Sequence, residues 1–144
     1  CTKYRLNRAK ERALHLAALE RLLNRHGLPA GGHVHVDFVM GVPGGMPGTV
    51  EALVACKQAM RDLPEGTTFS ATGIGRTTLP VMMASLAAGG HLRVGMEDTI
   101  TFARSQPVES NAQLVARAVS FARLAQRPPM TPKDARKLLG IASG

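Results

Sequence analysis

An arginine and two carboxylates stand close together in the run His91-Leu92-Arg93-Val94-Gly95-Met96-Glu97-Asp98. The run reads as a strand over 91–96. Strand side chains alternate, so His91, Arg93, Gly95 and Glu97 are expected on one face and Leu92, Val94 and Met96 on the other. The apolar set would pack against helices, and the polar set would point inward. An inward arginine and glutamate are costly unless they are paired or bound to something. Two uses remain open. One is an ion pair that only fixes a loop. The other is a carboxylate ligand or base held by the arginine. His33-Val34-His35 is a second candidate, because a strand sets both imidazoles on one face, ~6–7 Å apart at the Cα atoms. These histidines open their strand, however. Gly41, six residues beyond His35, lies ~20 Å further on at ~3.3 Å per residue. Packing or solvent contact is therefore the expectation there. The loop G-V-P-G-G-M-P-G at 41–48, with Gly41, Gly44 and Gly45, lets backbone come close to a neighbour. That is room for a ligand or simply a tight turn. Gly73, Gly75 and Arg76 repeat the situation one strand later.

These residues need elements to position them. Residues 5–26 read as a helix, with Leu16, Leu19 and Leu23 at helical spacing and Leu22 beside them. Gly27 suits its end and Pro29 blocks its continuation. His33–Met40 is β-rich. Thr49 caps a helix to about Asp62, before Pro64. Thr67–Thr72 is a second strand, and a short helix follows with Pro80 in its first turn and Gly89-Gly90 at its end. After the third strand, Asn111 caps a helix to about Ala125. Thr131-Pro132-Lys133-Asp134 opens a last helix that ends at Gly140. Met82, Met83 and the helix leucines are expected in the core, and Cys56 as an inert packed thiol. The order α-β-α-β-α-β-α-α, with no hairpin signal, specifies a parallel sheet built from βα units. Ligands of such folds sit at the C-terminal strand ends. Three strands leave two bare edges, so further strands are expected on at least one side. A (β/α)8 barrel takes about 250 residues, and this chain of 144 residues is near half of that.

Apolar residues make up 44% and charged residues 19%, a globular rather than disordered balance. No run reaches the ~18 apolar residues of a membrane span. No signal peptide is evident, and residue 1 is Cys rather than Met, so the chain reads as part of a longer one. Two cysteines, Cys1 and Cys56, make no disulfide framework, which fits a reducing, cytoplasmic setting. The net charge is +8. A basic non-catalytic module binding nucleic acid or another anionic partner is therefore one reading. With no Trp, one Tyr and four Phe, bases would find few stacking platforms. Lys3, Arg5, Arg8, Lys10, Arg12, Arg21 and Arg25 then form a solvated helix face, a partner surface, or an attractor for an anionic substrate. Glu97 and Asp98 separate the readings, since a phosphate binder gains nothing from two carboxylates at a strand end. A half barrel that dimerises into a pseudo-barrel is a third reading.

The segment H-L-R-V-G-M-E-D at 91–98 resembles a signature of the β-keto acid cleavage enzymes. F-V-M-G-V-P-G-G at 38–45 and A-T-G-I-G-R at 71–76 resemble that family's sixth and seventh strands. S-N-A-Q-L-V at 110–115 and T-P-K-D-A-R-K-L-L-G at 131–140 resemble its last two helices. The resemblance covers residues 30–140 in order. It implies an α/β fold, the C-terminal half of a (β/α)8 TIM barrel. Residues 1–144 would be a partial barrel domain holding about strands 6–8, three parallel strands with flanking helices, and the N-terminal half would lie outside the chain. It implies a zinc-dependent enzyme that condenses a β-keto acid with acetyl-CoA to give acetoacetate and a CoA ester. Glu97 matches the metal ligand, Asp98 the aspartate of proton transfer, and Arg93 the arginine that orients it. The arginine is also expected to lower the base's pKa. Gly41, Gly44, Gly45, Gly75 and Arg76 become candidates for substrate or CoA binding, Arg76 toward a CoA phosphate or a substrate carboxylate. The family's other zinc ligands form an H-x-H on an early strand outside the matched region, and Cys1-Thr2-Lys3-Tyr4 lacks the acidic residue usual on its fifth strand. The expected protein is a cytoplasmic homo-oligomer, such as a tetramer, with no nucleic-acid or membrane partner. The 144-residue chain alone is expected to be inactive.

Overall fold

A computed structural model describes residues 8–29, 32–139 and 141, with side chains from His15 onward. The expected helix start at 5–7, the helix end at Gly140 and the basic side chains before His15 lie outside this description. Helix α1 (Arg8–His26) is followed by strand β1 (His35–Met40), helix α2 (Val50–Ala59) with a 3-10 turn at Met60–Asp62, and strand β2 (Thr68–Gly73). A second 3-10 turn (Gly75–Thr77) leads into helix α3 (Thr78–Ala87) and strand β3 (His91–Leu92). Strands β4 (Thr101–Ala103) and β5 (Gln106–Pro107) precede helices α4 (Asn111–Leu124) and α5 (Pro132–Leu138).

The three expected strands form one parallel sheet in the order β1-β2-β3. His35 faces Thr68 and Met40 faces Gly73, while Ser70 faces His91. Alternation decides which face is covered. Phe38 and Met40 of β1 and Phe69 and Ala71 of β2 are buried with Ala52, Leu53 and Cys56 of α2 and with Val81 and Ala84 of α3. Phe38 and Phe69 pack with ring centroids 5.8 Å apart. The opposite face carries His35, Asp37 and Val39 beside Thr68, Ser70 and Thr72. Helix ends follow local chemistry. The Thr49 side chain accepts from the Ala52 N–H at 3.3 Å, and Thr131 does the same for Asp134. Gly27 takes φ +77° and closes α1 through a bond to the Leu23 carbonyl at 2.8 Å. No helix among the described residues is long and apolar enough to cross a membrane.

Four expectations are corrected. Strand β3 ends at Leu92 rather than Met96, because the chain then curls so that the Asp98 and Thr99 amides reach the Gly95 carbonyl at 3.1 and 3.2 Å. A hairpin, β4–β5, stands between β3 and α4. Its turn uses Ser105 at φ +62°, a left-handed conformation usually left to glycine, so no Asn-Gly signal announced it. Arg117 of α4 holds it, donating to the Phe102 carbonyl at 2.5 Å with its guanidinium 4.4 Å from the Phe102 ring centre. Ser110, not Asn111, caps α4 by accepting from the Gln113 N–H. Met82 is buried, but Met83 at 55% exposure, and Leu22 and Leu124 among the helix leucines at 55% and 81%, lie on the outer faces of their helices and not in the core.

The loop after β1 meets the turn after β2 with no spare room. A Cβ on Gly73 would lie 2.4 Å from the Thr77 carbonyl oxygen, and one on Gly41 or Gly48 would strike the Thr77 side chain. Backbone cannot swing aside as a side-chain tip can. Gly73→Ala is therefore expected to destabilise the protein by about 1–3 kcal/mol, the usual cost of overpacking. Urea unfolding checks this, and an unchanged midpoint would show that the contact yields freely.

Candidate active site

The turn beyond β3 gathers the predicted chemistry. Arg93 follows the last ladder residue and its guanidinium forks. One nitrogen donates to Asp98 Oδ2 at 2.9 Å and the other to Glu97 Oε1 at 2.8 Å. Strand alternation does not bring Glu97 here, as expected from sequence; the turn does. Four further bonds fix that turn. Its Gly95 carbonyl accepts from Asp98 and Thr99, the Gly75 N–H donates to the Asp98 carbonyl at 2.7 Å, and the Met96 N–H donates to Asn111 Oδ1 at 2.8 Å. Asn111 thus ties α4 to the site instead of capping its own helix. A Cβ on Gly95 would meet the Glu97 carboxylate, so a side chain there would displace that exposed group from its place beside Arg93.

The two carboxylates differ in setting. The Asp98 side chain is 10% exposed and that of Glu97 60%. Burial raises the Asp98 pKa above its ordinary value, Arg93 opposes this, and the charges of Glu97 and Asp37 add to the rise. The expectation that Arg93 would leave this base with a lowered pKa is thereby corrected: desolvation outweighs the arginine. A raised carboxyl takes and returns a proton more readily near neutral pH.

The glycine candidates divide. Gly75 touches the site directly through its bond to Asp98. Gly41, at φ +90°, is required by the Thr77 contact, which accounts for it as packing. Gly44 and Gly45 lie in the exposed loop beyond, Gly44 at φ +81° with open space where a Cβ would be. Arg76 is exposed on the turn after β2. Cys56 is buried, its Sγ 3.1 Å from Met46 Sδ. A cavity of about 660 Å³ lies between α3, β3 and α4 and is lined by Leu86, Arg93, Val94, Val115 and Ala118 among others, but not by Glu97 or Asp98.

His33 and His35 sit at the opposite end of the strands, as their position predicts. His33 Nε2 and His35 Nδ1 both meet Thr68 Oγ1, at 2.9 and 2.8 Å, and His35 Nε2 meets Ser70 Oγ at 3.2 Å. Ser70 Oγ in turn donates to Asp37 Oδ1 at 2.5 Å, and Thr72 Oγ1 donates to the same carboxylate at 3.0 Å. Each hydroxyl has one hydrogen, so the donor directions run from His33 through Thr68, His35 and Ser70 to Asp37. Sequence reasoning passed over Asp37. The signal was available: in H-V-D-F-V-M at 35–40, period two puts Asp37 on the face of His35, away from Phe38 and Met40.

Among the described residues no group of three or more His, Cys, Asp or Glu is placed to hold a metal ion. Glu97 remains a ligand candidate with its Oε1 engaged by Arg93, and His33 and His35 are occupied with hydroxyls at the far end of the sheet.

The family model for beta-keto acid cleavage enzymes matches residues 12–141. The chain belongs to that family. It is 36% identical over 115 residues to a 3-keto-5-aminohexanoate cleavage enzyme of Acetoanaerobium sticklandii, a match covering 77% of this chain and 41% of the relative. A 3-oxoadipate:acetyl-CoA acetyltransferase of Cupriavidus necator is 37% identical over 112 residues, 78% of this chain and 39% of its own length. A 3-dehydrocarnitine:acetyl-CoA trimethylamine transferase of Rhizobium meliloti is 34% identical over 108 residues, 75% and 35% respectively. The chain thus spans about two fifths of the length of these curated relatives.

The histidines give the fold a pH dependence. Burial is the first cause lowering both His35 and His91 below the ordinary 6.5, and their rings lie 5.8 Å apart. The fold favours the neutral imidazoles, so the unfolded chain takes up protons first as pH falls. This contribution is complete above 6.5 and is lost as pH drops through the lowered folded values. The urea midpoint should therefore fall between about pH 7 and pH 5. His35→Gln should make that fall shallower, and an unaltered slope would remove His35 as a cause.

Proposed function

We propose that this chain contributes the proton-transfer turn of an acetyl-CoA-dependent β-keto acid cleavage enzyme, which converts a β-keto acid and acetyl-CoA into acetoacetate and a new CoA ester. The observation that carries this reading is the Arg93 fork holding a largely enclosed Asp98, its side chain 10% exposed, beside an exposed Glu97 at the C-terminal end of a parallel strand. A structural ion pair needs one carboxylate; two, held apart in burial by one guanidinium, suit two different tasks.

In this reading Asp98 withdraws a proton from the carbon between the keto and carboxylate groups. Its raised pKa makes the protonated form accessible afterwards, so the proton can be returned. Arg93 holds Asp98 in register with the substrate. Glu97, exposed and with its Oε1 held by Arg93, would be one ligand of a zinc ion, the remaining ligands coming from the part of the fold that the relatives have beyond the matched region. Bound zinc supplies Lewis-acid polarisation of keto and carboxylate oxygens. Gly44, Gly45, Gly75 and Arg76 line the approach, with Arg76 available to a CoA phosphate or a substrate carboxylate and Gly41 shaping the loop. The complete protein is read as a (β/α)8 barrel, with residues 1–144 as its C-terminal part, and as a cytoplasmic homo-oligomer. A catalytic zinc takes about three protein ligands, so the 144-residue chain alone is inactive in this reading. The relatives' names differ at one end of the keto acid: an amino group in one, a second carboxylate in another, a trimethylamine in a third.

Three substitutions in the complete enzyme separate the roles. Glu97→Gln should lower zinc content, because an amide oxygen is a weaker ligand than a carboxylate. Asp98→Asn should keep the metal and slow turnover by about 10²–10⁴-fold. Arg93→Lys should also impair turnover, since an ammonium cannot bridge two carboxylates as a planar fork does. Metal analysis beside single-turnover rates reads all three. Full zinc occupancy in Glu97→Gln, or parental turnover in Asp98→Asn, would defeat the assignment.

A further inference from the structure

The open face of the sheet carries an anionic group that the reaction described above does not use. Asp37 sits mid-way along β1, between the buried Phe38 and the half-buried Val36, and points away from the helices. Its register partner is Ser70, yet its carboxylate also reaches Thr72, two residues nearer the strand's C-terminal end. Thr72 precedes Gly73, where β2 ends, and the Gly75 N–H just beyond binds the Asp98 carbonyl. The carboxylate therefore lies below the catalytic turn on the same face, one layer deeper.

Three features set Asp37 apart from a structural acid. Both hydroxyls that hold it are donors, and both belong to residues almost wholly buried, Ser70 at 3% and Thr72 at 1% exposure. The relay through His35 and Thr68 orients the Ser70 donor, so the carboxylate is fixed in place. Among the described residues no Lys, Arg or His forms an ion pair with it, and the Arg93 guanidinium is engaged by Glu97 and Asp98. The residue itself remains exposed on the open face. A fixed carboxylate without a counter-charge attracts a cation and repels an anion, and it does so more strongly as water is excluded around it.

We propose that Asp37 is a specificity-determining residue that reads the far end of the substrate and selects β-keto acids bearing a cationic group over those bearing a second carboxylate. This rests on the β-keto acid cleavage reading, since it takes the keto acid's own carboxylate to be held at the turn above. The hydroxyl relay keeps Asp37 pre-positioned, so little side-chain ordering is left for the substrate to drive.

The test compares two β-keto acids of equal length, one ending in an ammonium and one in a carboxylate, with the complete enzyme and acetyl-CoA. The parent should show the higher kcat/KM on the ammonium substrate, and rising salt should narrow the difference. Asp37→Asn, close to isosteric, should lower kcat/KM on that substrate by about tenfold or more, the worth of a charged hydrogen bond, and raise it on the carboxylate substrate. Asp37→Glu should keep the preference, which covers the case in which the asparagine variant does not fold. A parent that prefers the carboxylate substrate, or an Asp37→Asn variant that loses both substrates in equal proportion, overturns the inference and leaves the cleavage reading standing. A parent that cleaves neither substrate overturns both.

Discussion

One guanidinium answers for two carboxylates, and the polar end of the fold depends on that. Asp98 is drawn out of water beside Glu97, with Asp37 on the same face of the sheet. Three acids in one neighbourhood would repel one another, and burial makes this worse. Arg93 offsets part of the cost by binding both turn carboxylates at once, which its planar fork permits. Its position at the end of β3 explains why the strand is so short. A continued ladder would send Glu97 and Asp98 to opposite faces, and no single side chain could then hold both. The curl at Gly95 brings the two acids to one arginine.

Backbone chemistry holds that curl in place. The bonds from Gly75 to Asp98 and from Met96 to Asn111 tie the turn to the ends of β2 and α4 respectively. A similar device anchors the other end of β3: Ser85 Oγ donates to the His91 carbonyl at 2.7 Å, and Arg127 donates to the carbonyls of Leu86, Gly89 and Gly90 at the end of α3. Carbonyls at a helix C-terminus lack the amide partners of interior ones, although that of Leu86 also accepts from the Gly89 N–H at 3.2 Å. The arginine satisfies them from across the chain and locks α3 to the segment after α4. A two-residue strand is thus held more by side-chain-to-backbone bonds than by its ladder.

What could be read in the sequence follows from how local each cause is. Helix caps at Thr49 and Thr131, the glycine end of α1 and the parallel order of the three strands come from nearby residues, and they were legible. The family resemblance also pointed to Arg93, Glu97 and Asp98. The hairpin, the early end of β3 and the role of Asn111 were not legible, because each depends on a partner distant in sequence or on a left-handed serine. The direction of the Asp98 shift was likewise hidden. An arginine five residues away is visible in the chain; the burial that outweighs it exists only once β2, α4 and the turn have met.

The two faces of the sheet are finished to different degrees, and this bears on how the site works. On the helix side Leu53, Val81 and Met40 are fully buried. On the other side Val39 is 44% exposed, next to a carboxylate and a row of hydroxyls. Parallel sheets are normally covered on both faces, and here the uncovered one carries the polar ladder from His33 to Asp37 with the Arg93 fork above it. A helix laid on that face would have to desolvate Asp37 without a cation to meet it, which is the most expensive kind of burial. Cover that left Asp37 and the hydroxyls beside it in contact with polar groups avoids that cost. Where such cover excludes water, each charge acts at longer range than it would in bulk solvent, and the carboxylates stay reachable from the strand ends. The arrangement of apolar residues toward the helices and acids, hydroxyls and imidazoles toward the open face is therefore a constraint on what may cover it.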